Sequence, residues 1–326
     1  MTGYCSPIGW TLHRGALGVI VGVLAVMAFP GHASAYDWPV RPFDRQHPIR
    51  GTFDDPRTRT GQVDRDPTNP QSFHDGVDIQ APDGTPVYSI AAGEAFLVNR
   101  FAVAVVSPSW SESVPLAFGY WHIDPVVADH QVVARHELLG FVRFGAGHVH
   151  LSEQRFGRSV NPLRGGGLAP YRDRTRPVIS SIVLRPCLPW REVDPTDVSG
   201  CVDLVVNAFD PPALPLRGAW SGSVLPPYRI TWGGIFTQGW LPLHARTSIG
   251  FDHHWEGPLG DVYAAGTHQN LANRPGTYYF WLARKVDTTL LGNGLHTIWV
   301  TAADIRGNET TRRYEFTVAN DEPVIP

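Results

Sequence analysis

The chain has 326 residues, 43% hydrophobic and 17% charged, with 33 glycines and 29 prolines, a composition that favours short strands cut by turns over long helices. Its net charge of −3 arises from 27 basic and 30 acidic residues with no basic run, which excludes a nucleic-acid footprint and a polybasic membrane patch. The length exceeds what one core usually supports and predicts two domains.

Residues 1–35 read as a signal peptide. His13 and Arg14 precede an apolar run from Ala16 to Phe29, a Pro30-Gly31 break and Ala33-Ser34-Ala35, the pattern of a cleavable export signal. The run is shorter than the ~20 residues a spanning helix needs. The mature chain is therefore expected to start at Tyr36, to carry no stable membrane span and to be exported to the periplasm or beyond the cell. Cys5 leaves with the signal.

The first mature domain is expected over 36–165. Strand signals cover 85–90, 95–98, 103–106, 117–122 and 148–151, with turns at Asp83-Gly84 and Ala92-Gly93. They predict an antiparallel sheet with loops such as 107–115 over one face. Three histidine phrases occur in order: Phe73-His74-Asp75-Gly76-Val77-Asp78-Ile79, Gly119-Tyr120-Trp121-His122-Ile123-Asp124 and Gly147-His148-Val149-His150-Leu151. On a strand, His148 and His150 project from the same face. Two histidines and one carboxylate satisfy the three protein ligands of a catalytic zinc, whose fourth position holds water. Asp75, next to His74, could orient a ligand through its carboxylate, but a solvated loop aspartate is the preferred reading.

Residues 166–177, Gly/Pro-rich and charged, read as a linker. Beyond it, 178–326 is expected to form a second β-rich domain with strands near 178–184, 201–209, 228–232, 277–283, 296–302 and 312–318. The alternation Ile298-Val300-Ala302 before a Gly307-Asn308 turn predicts a hairpin in a sandwich. Cys187 and Cys201 are the two cysteines left after export and are expected to pair. Trp281 and Trp299 are expected in the sandwich core. His253 and His254, being adjacent, would point to opposite faces of a strand and form no metal site.

Taken together, H-x-G-x-D-I, Y-x-H and H-x-H, with Asp78-Ile79-x-Ala81-Pro82-x-Gly84-Thr85-Pro86-Val87, resemble the lysostaphin/LytM-type zinc metallopeptidases over roughly residues 45 to 160. The resemblance implies a small antiparallel β-sheet groove of the duplicated hybrid motif type. It implies that His74, Asp78 and His150 bind zinc, that His148 is the general base toward the attacking water, and that His122 stabilises the tetrahedral intermediate. The implied function is an exported zinc metalloendopeptidase hydrolysing peptidoglycan peptide crosslinks. A catalytically silent wall-binding or regulatory protein on the same fold is the alternative. Where the family commonly has an aromatic residue and a glutamate after H-x-H, this chain has Leu151, Ser152 and then Glu153. The phrase from Gly294 to Asn308 resembles the last strands of bacterial immunoglobulin-like domains, which implies an immunoglobulin-like β-sandwich able to meet a wall or protein partner.

Overall fold

Alternating apolar and polar side chains, broken every few residues by glycine or proline, direct this sequence into short antiparallel strands. The computed structural model describes residues 35–58, 71–107, 116–188, 192–235 and 243–320. It is mainly β, built from several antiparallel sheets, and its α-helix Leu259–Val262 is a single turn. The proposed signal segment, apart from Ala35, lies outside the described residues, as do 108–115 of the loop expected over the groove. No described helix is long and apolar enough to cross a membrane.

The first sheet centres on the strands Gly76–Gln80 and His148–Arg155. Ile49–Gly51 pairs on one side, and Leu116–Trp121, Ala102–Ser107, Gly93–Asn99 and Gln131–Val133 follow on the other. Period-two alternation sorts its faces. Val77, Ile79, Val149, Leu151, Phe118 and Tyr120 point into an apolar core, with Val87, Ile123 and Leu139 of a smaller sheet packed against them. The intervening residues Asp78, His148 and His150 therefore share the opposite face. The predicted strand 117–122 ends one residue early, at Trp121, because His122 takes a positive φ of 63° and breaks the pairing.

The second half forms a β-sandwich. One sheet has the order Val178–Pro186, Cys201–Phe209, Tyr279–Asp287; the other has Leu243–Gly250, Arg229–Ile235, Gly294–Ala303, Glu309–Val318. Their inner faces share one apolar cluster that includes Leu184, Val202, Phe280, Ile298, Val300 and Phe316. The expected hairpin closes at Gly307, whose φ is 85°. Trp281 and Trp299 both depart from their expected core positions: Trp281 alternates with buried Phe280 and Leu282 and is itself only partly buried, and Trp299 alternates with Ile298 and Val300 and is 38% exposed. The two halves exchange anchors, since Phe53 and Phe73 pack into the sandwich cluster and Leu225 packs into the other. Within the stretch 166–177, Leu168 is buried and pairs with Tyr36.

Cys187 and Cys201 are joined by a disulfide with Cα atoms 5.5 Å apart, closing a loop of sequence separation 14. Such closure removes unfolded-chain entropy worth about 3 kcal/mol. Reduction is expected to lower the denaturant midpoint and to weaken amide protection first in Val178–Pro186 and Cys201–Phe209. Unchanged hydrogen exchange in those strands after complete reduction would contradict this.

Candidate metal centre

Asp78 and His150 are direct cross-strand neighbours in the antiparallel register, and His148 faces Gln80 two positions away. Side chains so placed meet across a pair of strands. His74 joins them from the turn before Gly76–Gln80, where its backbone is held on both sides: its N–H donates to the Asp55 carbonyl at 3.0 Å, and its carbonyl accepts from Asp54 N–H at 2.8 Å. The three predicted ligand residues are thus brought together and buried.

Their atoms converge. His74 Nε2 lies 2.7 Å from His150 Nδ1 and 3.1 Å from Asp78 Oδ1, and His150 Nδ1 lies 3.3 Å from the same oxygen. Tetrahedral zinc with ligand bonds of about 2.0–2.2 Å separates its ligand atoms by roughly 3.3 Å, so the triangle is close to the right size. The outward nitrogens are engaged elsewhere. His74 Nδ1 donates to the Thr52 carbonyl at 2.8 Å, leaving the Nε2 lone pair inward, and His150 Nε2 lies 3.3 Å from Asp75 Oδ1, leaving Nδ1 inward. Fixing the ligand tautomer through its second nitrogen is the usual support of a metal-binding histidine. The nitrogen and oxygen donors, their spacing and their locked tautomers fit a metal ion such as zinc.

Asp75 is therefore not a purely solvated loop residue. It supplies a carboxylate to His150, whereas Glu153 points to the other face, where it accepts from Tyr36, Arg155 and Arg164. Strand alternation decides this, because position 153 is an odd number of residues from His150.

Three arginine and glycine positions escaped the sequence reading. Arg57 Nη2 donates to Asp78 Oδ2 at 2.7 Å, and Nη1 lies 3.3 Å from Asp55. Burial alone would raise the Asp78 carboxyl, but His74 and the Arg57 guanidinium hold it well below the usual range. Gly51 leaves room for this pair, since a Cβ there would sit 2.4 Å from Arg57 Nη2 and 2.8 Å from Asp78 Oδ2. Arg50 places Nη2 3.4 Å from His148 Nε2 while its guanidinium stacks 4.0 Å from the centroid of the Trp220 ring. Arg57→Met is expected to lower metal affinity about 10–100-fold, the usual cost of losing a partner of a metal ligand. Competition with a chromophoric chelator measures it, and unchanged affinity would remove Arg57 from the site.

His148 donates Nδ1–H to the Ala146 carbonyl at 2.7 Å, which turns Nε2 toward Asp78 Oδ1 at 3.5 Å. Burial lowers its pKa to about 3, Arg50 adding to the effect and Asp78 opposing it. The ring is neutral at pH 7. His122, exposed and with its pKa lowered by burial of part of the ring, stands with its ring centroid 4.5 Å from that of His148 and 6.5 Å from that of His150. The five predicted residues thus occupy one locality, with the two histidines not among the triangle on one side of it.

The sandwich reaches this centre. Tyr263 Oη donates to the Asp54 carbonyl at 2.8 Å, Gln269 Oε1 accepts from Thr58 N–H at 2.8 Å, and His254 Nδ1 lies 2.8 Å from Asp54 Oδ1. His254 thus has a partner in Asp54. Gln80 also bridges to the backbone of Arg217, donating to its carbonyl at 3.0 Å and accepting from its N–H at 3.1 Å.

No protein-family model matches the chain, and no curated protein matches it. Parts of several solved structures are similar, these three among them. A zinc-containing peptidase from Vibrio cholerae is 23% identical over 39% of each chain, with a TM-score of 0.30. Helicobacter pylori Csd3 is 19% identical over 40% of this chain and 34% of its own, also at 0.30. A chain of the SpoIIQ-SpoIIIAH pore-forming complex is 16% identical over 40% of this chain and 90% of its own, again at 0.30. The chain spans less than half the length of the first two.

Proposed function

We propose that this chain is an exported zinc metalloendopeptidase of the lysostaphin/LytM type, cleaving peptide crosslinks of peptidoglycan. The observation that carries the proposal is the convergence of His74 Nε2, Asp78 Oδ1 and His150 Nδ1 within 2.7–3.3 Å of one another, beside two further histidines. A structural metal would be closed by a fourth protein ligand; here the described group is three residues.

His74, Asp78 and His150 would hold the ion. Bound zinc lowers the pKa of water toward 7 and supplies a nucleophile at neutral pH. His148 Nε2, neutral and oriented by the Ala146 carbonyl, can accept a proton from the attacking water. His122 can donate a hydrogen bond to the developing oxyanion, an interaction made chiefly in the transition state. Asp75 and Arg57 orient the ligands.

The proposed organisation is a signal peptide over 1–35, a peptidase domain over 36–165, a linker over 166–177 and an immunoglobulin-like domain over 178–326. The order of the two sandwich sheets supports the last assignment, since the strand pair before the C-terminus joins the sheet opposite the first two strands. The contacts of Tyr263, Gln269 and His254 with residues 54–58 give this domain a role in supporting the metal site.

Digestion of isolated peptidoglycan by the mature protein, with zinc supplied or withheld and the fragments identified by mass, tests the reading. Zinc-dependent release of cleaved stems or crosslinks supports it. Wall binding without cleavage of any preparation would replace it with the silent, wall-binding alternative.

A further inference from the structure

A second carboxylate group lies away from the metal centre. Asp173 belongs to the stretch joining the two halves, Asp210 follows the strand Cys201–Phe209, and Asp304 opens the turn between Gly294–Ala303 and Glu309–Val318. One oxygen from each lies within 4.8 Å of the others. Asp173 Oδ1 is fixed by Thr175 N–H at 2.9 Å, and Asp304 Oδ1 by the N–H groups of Arg306 and Asn308, both at 2.8 Å. Asn308 Nδ2 ties the two segments together, donating to Asp304 Oδ2 at 2.6 Å and to the Asp173 carbonyl at 3.1 Å.

Asp210 differs from its neighbours. It is only 7% exposed, and its buried Oδ1 has no hydrogen-bond donor among the described residues. No described arginine, lysine or histidine forms an ion pair with it; Arg306, whose charge acts on Asp304 and Asp173, lies over the Tyr171 ring at 4.9 Å. A carboxylate buried beside two others without a donor is costly unless a positive charge sits among them. Burial, with the charges of Asp173 and Asp304, pushes its pKa up to about 9.

We propose that Asp173, Asp210 and Asp304 bind one calcium ion, which fastens the connecting stretch to the sandwich. The donors are all oxygen, which selects a hard cation over zinc. Calcium accepts six to eight oxygens at about 2.3–2.6 Å in irregular geometry, whereas magnesium demands a near-ideal octahedron at about 2.0–2.1 Å. A cavity of ≈ 20 Å³ lined by Asp210, Tyr171 and Ile305 adjoins the group and is large enough for a water that would complete the coordination. Because none of its residues belongs to the His74–Asp78–His150 centre, this site stands or falls independently of the peptidase reading.

Calcium titration of the zinc-loaded protein, followed by calorimetry and by terbium luminescence excited through Tyr171 and its aromatic neighbours, tests the proposal. The expected result is one calcium per chain with a Kd of about 10⁻⁴–10⁻³ M, the range of extracellular calcium modules, and a rise in Tm on adding calcium. Asp210→Asn is expected to abolish both responses with zinc content unchanged. If that variant fails to fold, Asp173→Asn is expected to do the same. The proposal is overturned if wild-type protein shows no calcium heat, no terbium signal and no Tm shift up to about 10 mM calcium, tenfold above the expected range. It is equally overturned if both variants respond as wild type does. A Tm of Asp210→Asn above that of wild type in saturating calcium would show that the group shares a proton instead.

Discussion

His150→Ala is expected to reduce bound zinc from about one ion per chain to a small fraction and to eliminate hydrolysis of peptidoglycan. His150 contributes one of the three converging atoms, and its removal leaves His74 Nε2 and Asp78 Oδ1, 3.1 Å apart, as a two-point site. The loss must exceed the roughly 10–100-fold that follows removal of a supporting partner such as Arg57. Strand pairing should survive, because the backbone of position 150 bonds to both neighbouring strands irrespective of its side chain. Metal analysis of the purified variant together with circular dichroism checks both points. Full zinc content with normal secondary structure would dismiss the assignment of the metal centre.

His148→Ala should behave differently. Turnover is expected to fall about 10²–10⁴-fold, the usual contribution of a general base, while zinc content stays near that of wild type. The reasoning is geometric. Nε2 of His148 stands 3.5 Å from Asp78 Oδ1, beside the triangle but not part of it, and its Nδ1 is committed to the Ala146 carbonyl. A group that acts only as proton acceptor is felt in the transition state, so kcat should drop with KM little changed. Loss of zinc together with activity would make His148 a ligand, and retention of full kcat would remove it from the chemistry. The two variants therefore separate holding the ion from using it.

The cluster of Asp55, Arg57 and Asp78 shows how far the centre extends beyond its ligands. Asp55 is fully buried, and burial raises its carboxyl to about 7, with Arg57 opposing the shift. Burial lowers the pKa of Arg57, but Asp78 and Asp55 raise it above the usual value, with smaller contributions from Tyr278 and Tyr263 of the sandwich, both buried. A candidate metal ligand, Asp78, is thus held by an arginine that residues of both halves surround.

The sequence by itself determined the β class, most strands of the sandwich and five of those in the first half, the cysteine pair and the five-residue constellation, because these rest on local signals. Alternation of apolar residues reports a strand wherever it lies, and H-x-H on a strand must present both rings to one side. The strands Ile49–Gly51, Gly76–Gln80, Leu138–Val142 and Leu243–Gly250 escaped notice, as did the left-handed backbone at His122, which carries no glycine signal. Only the tertiary structure decided which carboxylate supports His150. Strand alternation turns Glu153, an odd number of residues from His150, to the face of Tyr36, but that Asp75 in the turn before Gly76–Gln80 reaches His150 Nε2 follows only from the folded arrangement. The same holds for Arg57 and for the meeting of Asp173, Asp210 and Asp304. Those groups come from segments that no short motif links, and their proximity follows from how the sheets pack, a non-local property that periodicity along the chain does not encode.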